Sequence, residues 1–172
     1  LDICAKCDDV TLDYISNVYT DLNRLSIYLF NENHATLNII NSMVHLKSLQ
    51  VIVSNPMHIR SFICLQGLNL LLEELYLQNE SKYSKPDLDG LIHQTELLRL
   101  QLKSVQIGKE LNLTHMKHLK HLTLTDCHLL ANVNLNGLIE LTNCTFRNTN
   151  LDKLPSGIEH CCSLTDLQLN NN

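Results

Sequence analysis

Along this chain, pairs of aliphatic residues separated by one position that is polar or, once, tyrosine recur at nearly regular intervals. They are Leu1/Ile3, Leu25/Ile27, Leu49/Val51, Leu75/Leu77, Leu100/Leu102, Leu122/Leu124, Ile139/Leu141 and Leu167/Leu169, with successive steps of 24, 24, 26, 25, 22, 17 and 28 residues. A further leucine stands three positions upstream in six of them (Leu22, Leu46, Leu72, Leu97, Leu119 and Leu164), which completes L-x-x-L-x-L. Residues two apart in an extended strand share a face. Each pair therefore predicts a short β-strand with both aliphatic residues inward and the residue between them outward. A helix bundle would instead show a 3.6-residue stripe sustained over ten or more positions. A strand that can hide its apolar face only against the next copy of itself predicts a stack with a continuous aliphatic core.

Between the strands, apolar residues recur three or four apart, as in Leu37, Ile40, Val44 and in Leu88, Leu91, Ile92. This spacing predicts short helical turns over Thr36 to Val44, Ile59 to Leu68, Asp87 to Thr95 and Leu154 to Cys162. Leu154-Pro-Ser-Gly-Ile158 reads as a sharp lead into such a turn. The step of 17 residues leaves no room for a helix after Leu129, which predicts an extended segment or one tight turn there.

One unit, Leu119-Lys-His-Leu122-Thr-Leu124-Thr-Asp-Cys127-His-Leu129, fills every position of L-x-x-L-x-L-x-x-N/C-x-L. Ile139-Glu-Leu141-Thr-Asn-Cys144-Thr-Phe146 and Leu164-Thr-Asp-Leu167-Gln-Leu169-Asn-Asn-Asn172 follow the same template. In these units the chain resembles the leucine-rich-repeat family, and the resemblance extends over essentially all of it. It implies an α/β solenoid with a curved parallel sheet on the concave side and short helices or turns on the convex side. Residues 1–172 would form one leucine-rich-repeat domain of about eight repeats. The Asn or Cys after each strand is expected to bond peptide groups of the neighbouring turn. Cys127, Cys144 and Asn172 take that position, whereas Lys6, Phe30, Ser54, Glu80 and Val105 stand there in earlier units. A shift of one or two residues brings in Asn31, Asn55 and Asn79 instead, and both registers stay open. Strand-like residues stand at both ends without a polar cap, so an interior piece of a longer array is expected.

Composition narrows the function. Leucine supplies 36 of 172 residues and aromatics only 5%, so aliphatic packing carries the fold. Thirteen basic against 18 acidic side chains give a formal charge of −5. That balance, without long Lys/Arg runs, argues against a protein whose main work is gripping nucleic-acid phosphates. No stretch reaches the roughly 18 apolar residues of a membrane helix, the nearest being Leu68 to Leu72, broken by Asn69.

The seven cysteines include Cys4-x-x-Cys7, half of a zinc site, but no second such pair exists. Buried structural thiols are the plainer reading, and an odd number without a cysteine-framed cap points to a reducing compartment. His115, His118 and His121 have the spacing of one helical face, but His121 falls in a strand, which breaks that face. Arg99, Lys103, Lys109, Lys117 and Lys120 face only Glu110 in the same stretch, a cluster that could steer an acidic partner. Three N-x-S/T triplets begin at Asn79, Asn112 and Asn143, about the number chance supplies. Phosphate-binding and nucleophile-elbow motifs are absent from the sequence, so no catalytic residues, no metal and no cofactor are assigned.

The outward strand positions are the expected recognition surface. They fall into three columns: Arg24, Ser48, Glu74, Arg99, His121, Leu138, Asp166; Asp2, Ser26, Gln50, Tyr76, Gln101, Thr123, Glu140, Gln168; and Cys4, Tyr28, Ile52, Gln78, Lys103, Thr125, Thr142, Asn170. Mixed polarity with a few tyrosines and arginines suits a protein partner held by anchors within a polar rim. The assigned partner-binding residues on the concave face are Tyr28, Gln50, Tyr76, Arg99, Gln101, Lys103, His121, Thr123 and Glu140, with Tyr28, Tyr76, Arg99 and Lys103 as anchors. The resemblance is strongest to the repeat arrays of plant-type intracellular nucleotide-binding immune receptors. It implies a non-catalytic, cytoplasmic module that senses a ligand or effector. The alternatives are an extracellular receptor ectodomain or secreted binder, and the substrate-recruiting part of a ubiquitin ligase or bacterial effector.

Overall fold

A computed structural model describes residues 2–6, 9–29, 34–53, 71–79, 88–108, 110–127 and 132–172. In chain order its strands are β1 (Asp2–Lys6), β2 (Arg24–Leu29), β3 (Ser48–Val53), β4 (Glu74–Asn79), β5 (Arg99–Lys103), β6 (Glu110–Asn112), β7 (His121–Thr125), β8 (Asn132–Asn134), β9 (Asn143–Arg147) and β10 (Asp166–Asn170). Eight of them form one parallel sheet in the order β1-β2-β3-β4-β5-β7-β9-β10, so the chain winds as a solenoid that adds a strand per turn. The inward positions are in register throughout the middle of the stack: Leu25 beside Leu49, Leu75, Leu100 and Leu122, and Ile27 beside Val51, Leu77, Leu102 and Leu124. Every one of these residues is buried.

Two units differ from the sequence expectation. In β9 the inward pair is Cys144 and Phe146, which lie beside Leu122 and Leu124 on one side and Leu167 and Leu169 on the other. Ile139, expected in a strand, sits in the preceding turn and is 60% exposed. Leu141 is buried, but as the upstream leucine that closes this turn by donating its N–H to Leu138 O. The aliphatic template fails here because cysteine behaves as a small hydrophobe and phenylalanine replaces leucine. The same correction removes Leu138, Glu140 and Thr142 from the outward columns, and puts Asn143, Thr145 and Arg147 there. At the other end Ile3 and Ala5, not Leu1 and Ile3, lie beside Leu25 and Ile27, so Asp2 heads the first column and Cys4 the second. Leu1 lies outside the described residues. With these frames the uneven 17 and 28 become 22 and 23, and the first step becomes 22.

The connections take two forms. Helices α1 (Asp9–Val18) and α2 (His34–Ser42) fill the first two and pack against each other. Leu12 and Ile15, three apart, turn the buried side of α1 inward, while Val10, Tyr14 and Val18 stay exposed. The expected helix over Thr36 to Val44 thus corresponds to α2, whereas α1 was not anticipated. The expected segment Ile59 to Leu68 lies outside the described residues. Among the described residues of Asp87 to Thr95 and Leu154 to Cys162 there are only single 3-10 turns, Asp89–His93 and Ile158–His160. Later connections are extended: β6 and β8 pair in parallel as a second, small sheet, and Asn134 bridges to Ser156 in the next turn. The described part of the segment expected to be extended after Leu129 begins at Asn132 and is a strand, although the step length that suggested it was wrong. Gly157 makes the sharp turn of Leu154 to Ile158 possible. Its φ is +82°, and a Cβ there would lie 2.6 Å from Asn136 N.

Two hydrogen-bond ladders fix the pitch. Before six of the eight main-sheet strands one carbonyl accepts two N–H groups of the next turn: Asn23 O from Lys47 and Ser48, Lys47 O from Glu73 and Glu74, Glu73 O from Leu98 and Arg99, Leu98 O from Lys120 and His121, Lys120 O from Thr142 and Asn143, and Thr142 O from Thr165 and Asp166. After the later strands, Ser104, Asp126, Asn148 and Asn171 adopt left-handed φ of 53° to 55° at equivalent positions. Asn and Asp tolerate that region better than other non-glycine residues. The N–H groups of Ser104, Asp126 and Asn148 donate to Thr125 O, Arg147 O and Asn170 O. Of the four residues that follow these turns, Val105, Cys127, Thr149 and Asn172, two meet the template's bonding expectation. Cys127 Sγ donates to Leu102 O at 3.4 Å, and Asn172 Nδ2 donates to Phe146 O at 3.0 Å. In the β9 unit buried Thr149, not Cys144, takes this position, and its N–H and hydroxyl donate to Asn172 Oδ1 at 2.9 and 2.6 Å. Among the earlier alternatives Asn79 is the last residue of β4 and buried, while Asn31 and Asn55 lie outside the described residues.

The corrected frame is testable by urea unfolding. Leu124→Ala and Phe146→Ala should cost about 2–5 kcal/mol each, because both side chains are fully buried. Ile139→Ala should stay within about 0.5 kcal/mol of wild type; a cost for Ile139→Ala equal to that of Phe146→Ala would restore the frame read from sequence.

Candidate functional site

Because inward positions alternate with outward ones, strand register also builds the exposed face. Three rows cross it: Arg24, Ser48, Glu74, Arg99, His121, Asn143, Asp166; Ser26, Gln50, Tyr76, Gln101, Thr123, Thr145, Gln168; and Tyr28, Ile52, Gln78, Lys103, Thr125, Arg147, Asn170. Between β2 and β5 the face carries a hollow of about 640 Å³ whose lining includes Arg24, Ser48, Tyr28, Gln50, Glu74, Tyr76, Arg99 and Gln101. Five of the residues assigned from sequence, Tyr28, Gln50, Tyr76, Arg99 and Gln101, thus gather in one place. Lys103, His121 and Thr123 share the face but lie outside the hollow's lining. Glu140 does not belong to it: it sits in the turn before β9, where its carboxylate is 3.2 Å from His118 Nδ1. Ile52, counted as outward in the third column, is only 5% exposed.

The hollow's lining also holds a charged group that the sequence assignment left out. Glu74 Oε2 accepts from Ser48 Oγ at 2.9 Å and from Arg24 Nη2 at 3.3 Å, and Glu74 Oε1 lies 3.8 Å from Arg99 Nε. These four residues are consecutive in one row, so their signal was the Arg-Ser-Glu-Arg series at the first position of four strands. Both arginine side chains are 55% exposed, so each ion pair contributes at most about 1 kcal/mol. In the neighbouring row the Tyr76 hydroxyl donates to Gln78 Oε1.

The remaining candidates for chemistry are structural. Burial raises the Cys144 thiol to about 12 and the Cys127 thiol to about 11, and it raises Cys161 as well. These groups stay protonated at neutral pH, where neither a metal-binding nor a nucleophilic thiolate is available. His115 Nε2 donates to Leu91 O at 3.0 Å, and burial lowers its pKa. His118 faces Glu140 and His121 lies in β7, so the three histidines do not converge. Among the described residues no group of three or more His, Cys, Asp or Glu side chains could hold a metal ion, and Cys7 lies outside them. No helix among the described residues is long and apolar enough to cross a membrane. Of the three N-x-S/T asparagines, Asn79 is buried, Asn112 is exposed and Asn143 is half-buried on the outward face.

No protein-family model matches this chain, and no curated protein matches it.

Peptide-mapped alkylation at pH 8 should modify exposed Cys162 readily and Cys127, Cys144 and Cys161 only after denaturation. A thiol whose folded-state pKa is raised stabilises the fold fully below its unfolded value near 9. That contribution is lost as pH climbs towards 12, so the urea midpoint should fall over this window. Rapid native labelling of Cys144 would contradict its placement beside Leu122.

Proposed function

We propose that this chain is a non-catalytic leucine-rich-repeat recognition module that binds a protein partner through the outward face of its main sheet. The observation that carries the reading is the convergence of Tyr28, Tyr76, Gln50, Gln101 and Arg99 around one open hollow on strands fixed by a packed core. Tyrosine and arginine give large contact area and multiple donors, and they dominate the energetics of protein interfaces. A rigid sheet carries them without a loop-ordering cost on binding. The face is open and shallow, and its polar groups are spread across strands instead of converging on one reacting atom, which suits contact with a macromolecule. The three raised thiols stay protonated at neutral pH and so offer no thiolate nucleophile there.

Ligand or effector sensing in an innate immune receptor of the intracellular type is the narrower form of this proposal. It draws on the repeat pattern of the sequence, and the free thiols Cys127, Cys144, Cys161 and Cys162 agree with a reducing, cytoplasmic setting.

The test is a displayed peptide library panned against the folded chain, with the winners measured by titration against variants. Tyr76→Ala or Arg99→Ala should weaken the selected binders by more than about 1 kcal/mol, roughly fivefold, with circular dichroism unchanged. Binders that keep full affinity for both variants, and for substitutions at Gln50 and Gln101, would remove this face as the recognition surface.

A further inference from the structure

We infer that the hollow between β2 and β5 receives the side-chain carboxylates of an acidic peptide segment, with Arg99 taking the incoming group and Glu74 as the internal carboxylate it displaces. The inference rests on the recognition-face reading above and names the chemistry of the partner.

Charge is the first ground. Among the described side chains of the three rows, Arg24, Arg99, Lys103 and Arg147 face Glu74 and Asp166, a surplus of two positive charges on a chain whose formal charge is −5. The sheet face therefore has the opposite sign to the molecule as a whole, which draws acidic partners to it. The geometry of the arginines is the second. Arg24 donates its terminal Nη2 to Glu74, whereas Arg99 meets the same carboxylate only through Nε, at 3.8 Å. The two terminal nitrogens of Arg99 have no partner among the described residues, and more than half of the side chain is open to solvent. A guanidinium edge in that state can take a carboxylate in the two-point manner that makes arginine the preferred carboxylate receptor.

Glu74 is the third ground. It lies between the two arginines with a serine hydroxyl donating to it, so the row already holds one carboxylate at this place. An incoming acidic side chain competes with it for the arginines and must exceed its hold. Because both ion pairs are solvated, that hold is weak. Each contact with the partner is correspondingly modest, and several spaced acidic residues are needed along the strands. A nucleic-acid backbone fits less well, since a surplus of two charges interrupted by Glu74 neutralises few phosphates.

Fluorescence anisotropy with a labelled hexaglutamate peptide tests the inference, with the identically labelled hexaglutamine peptide as control, at about 50 mM salt to limit screening. Hexaglutamate should bind at least about tenfold tighter than hexaglutamine. Arg99→Gln should weaken hexaglutamate about three- to fivefold, and Glu74→Gln should tighten it by a similar factor, because the competing charge is gone. Lys153→Gln removes one positive charge at an exposed position outside the three rows and should change affinity by less than about twofold. Absent or equal binding of the two peptides, equal effects of Arg99→Gln and Lys153→Gln, no gain with Glu74→Gln, or equally tight binding of hexathymidylate would each overturn the inference. If it fails while library-selected binders still depend on Tyr76, the recognition face stands and only the acidic partner is removed. If those binders also ignore Tyr76 and Arg99, both fall.

Discussion

Everything in this fold depends on one constraint: a strand of five or six residues with one apolar face is stable only when that face and both hydrogen-bonding edges are shared with neighbouring turns. The pair Leu100 and Leu102 buries nothing by itself. Between Leu75/Leu77 and Leu122/Leu124 it is fully shielded. Leu167 and Leu169 show the converse, since they have a neighbour on one side only and are 41% and 39% exposed. The carbonyl ladder that runs from β2 to β10 and the left-handed turns at Ser104, Asp126, Asn148 and Asn171 repeat the same spacing in backbone hydrogen bonds. Apolar stacking and peptide bonding thus impose a common pitch. That pitch also holds the outward residues in straight rows.

Most of this architecture was legible because period-two burial writes itself as L-x-L, and six of the eight main-sheet strands follow it. The two lapses have distinct causes. Cys144 and Phe146 do the work of leucines without looking like them, so Ile139-x-Leu141 was the better match to an aliphatic template although it belongs to a turn. At the start, Ala5 pairs in register with Ile27 but is too small to stand out in an aliphatic pattern, and Leu1 captured the frame. The connections teach a similar lesson. Leu12 and Ile15 are three apart and lie on a helix, whereas Leu111/Leu113 and Val133/Leu135 are two apart, buried, and belong to the small second sheet or follow its strands directly. The alternation was present in the sequence, but the repeat template directs attention to one strand per turn.

The candidate site was readable in outline for the same reason. Once the frame of a strand is known, its outward residues follow, so Tyr28, Gln50, Tyr76, Arg99 and Gln101 were found together. Glu140 was misplaced by the frame error of its unit alone. The role of Glu74 was not readable, because it arises from side chains 50 residues apart that meet only when β2, β3 and β4 lie side by side. Burial likewise decides the chemistry of the cysteines: Cys144 and Cys162 are the same residue type, yet one thiol is locked in the core and the other is open to solvent.

The most direct measurement of the central claim is a set of methyl and aromatic NOEs across the later strands in a selectively labelled sample. Stacking in the frame described here predicts strong contacts from Leu102 to Leu124 and from Leu124 to the Phe146 ring, and none from the Ile139 methyls to Leu122. Contacts between Ile139 and Leu122, with the Phe146 ring remote from Leu124, would contradict it.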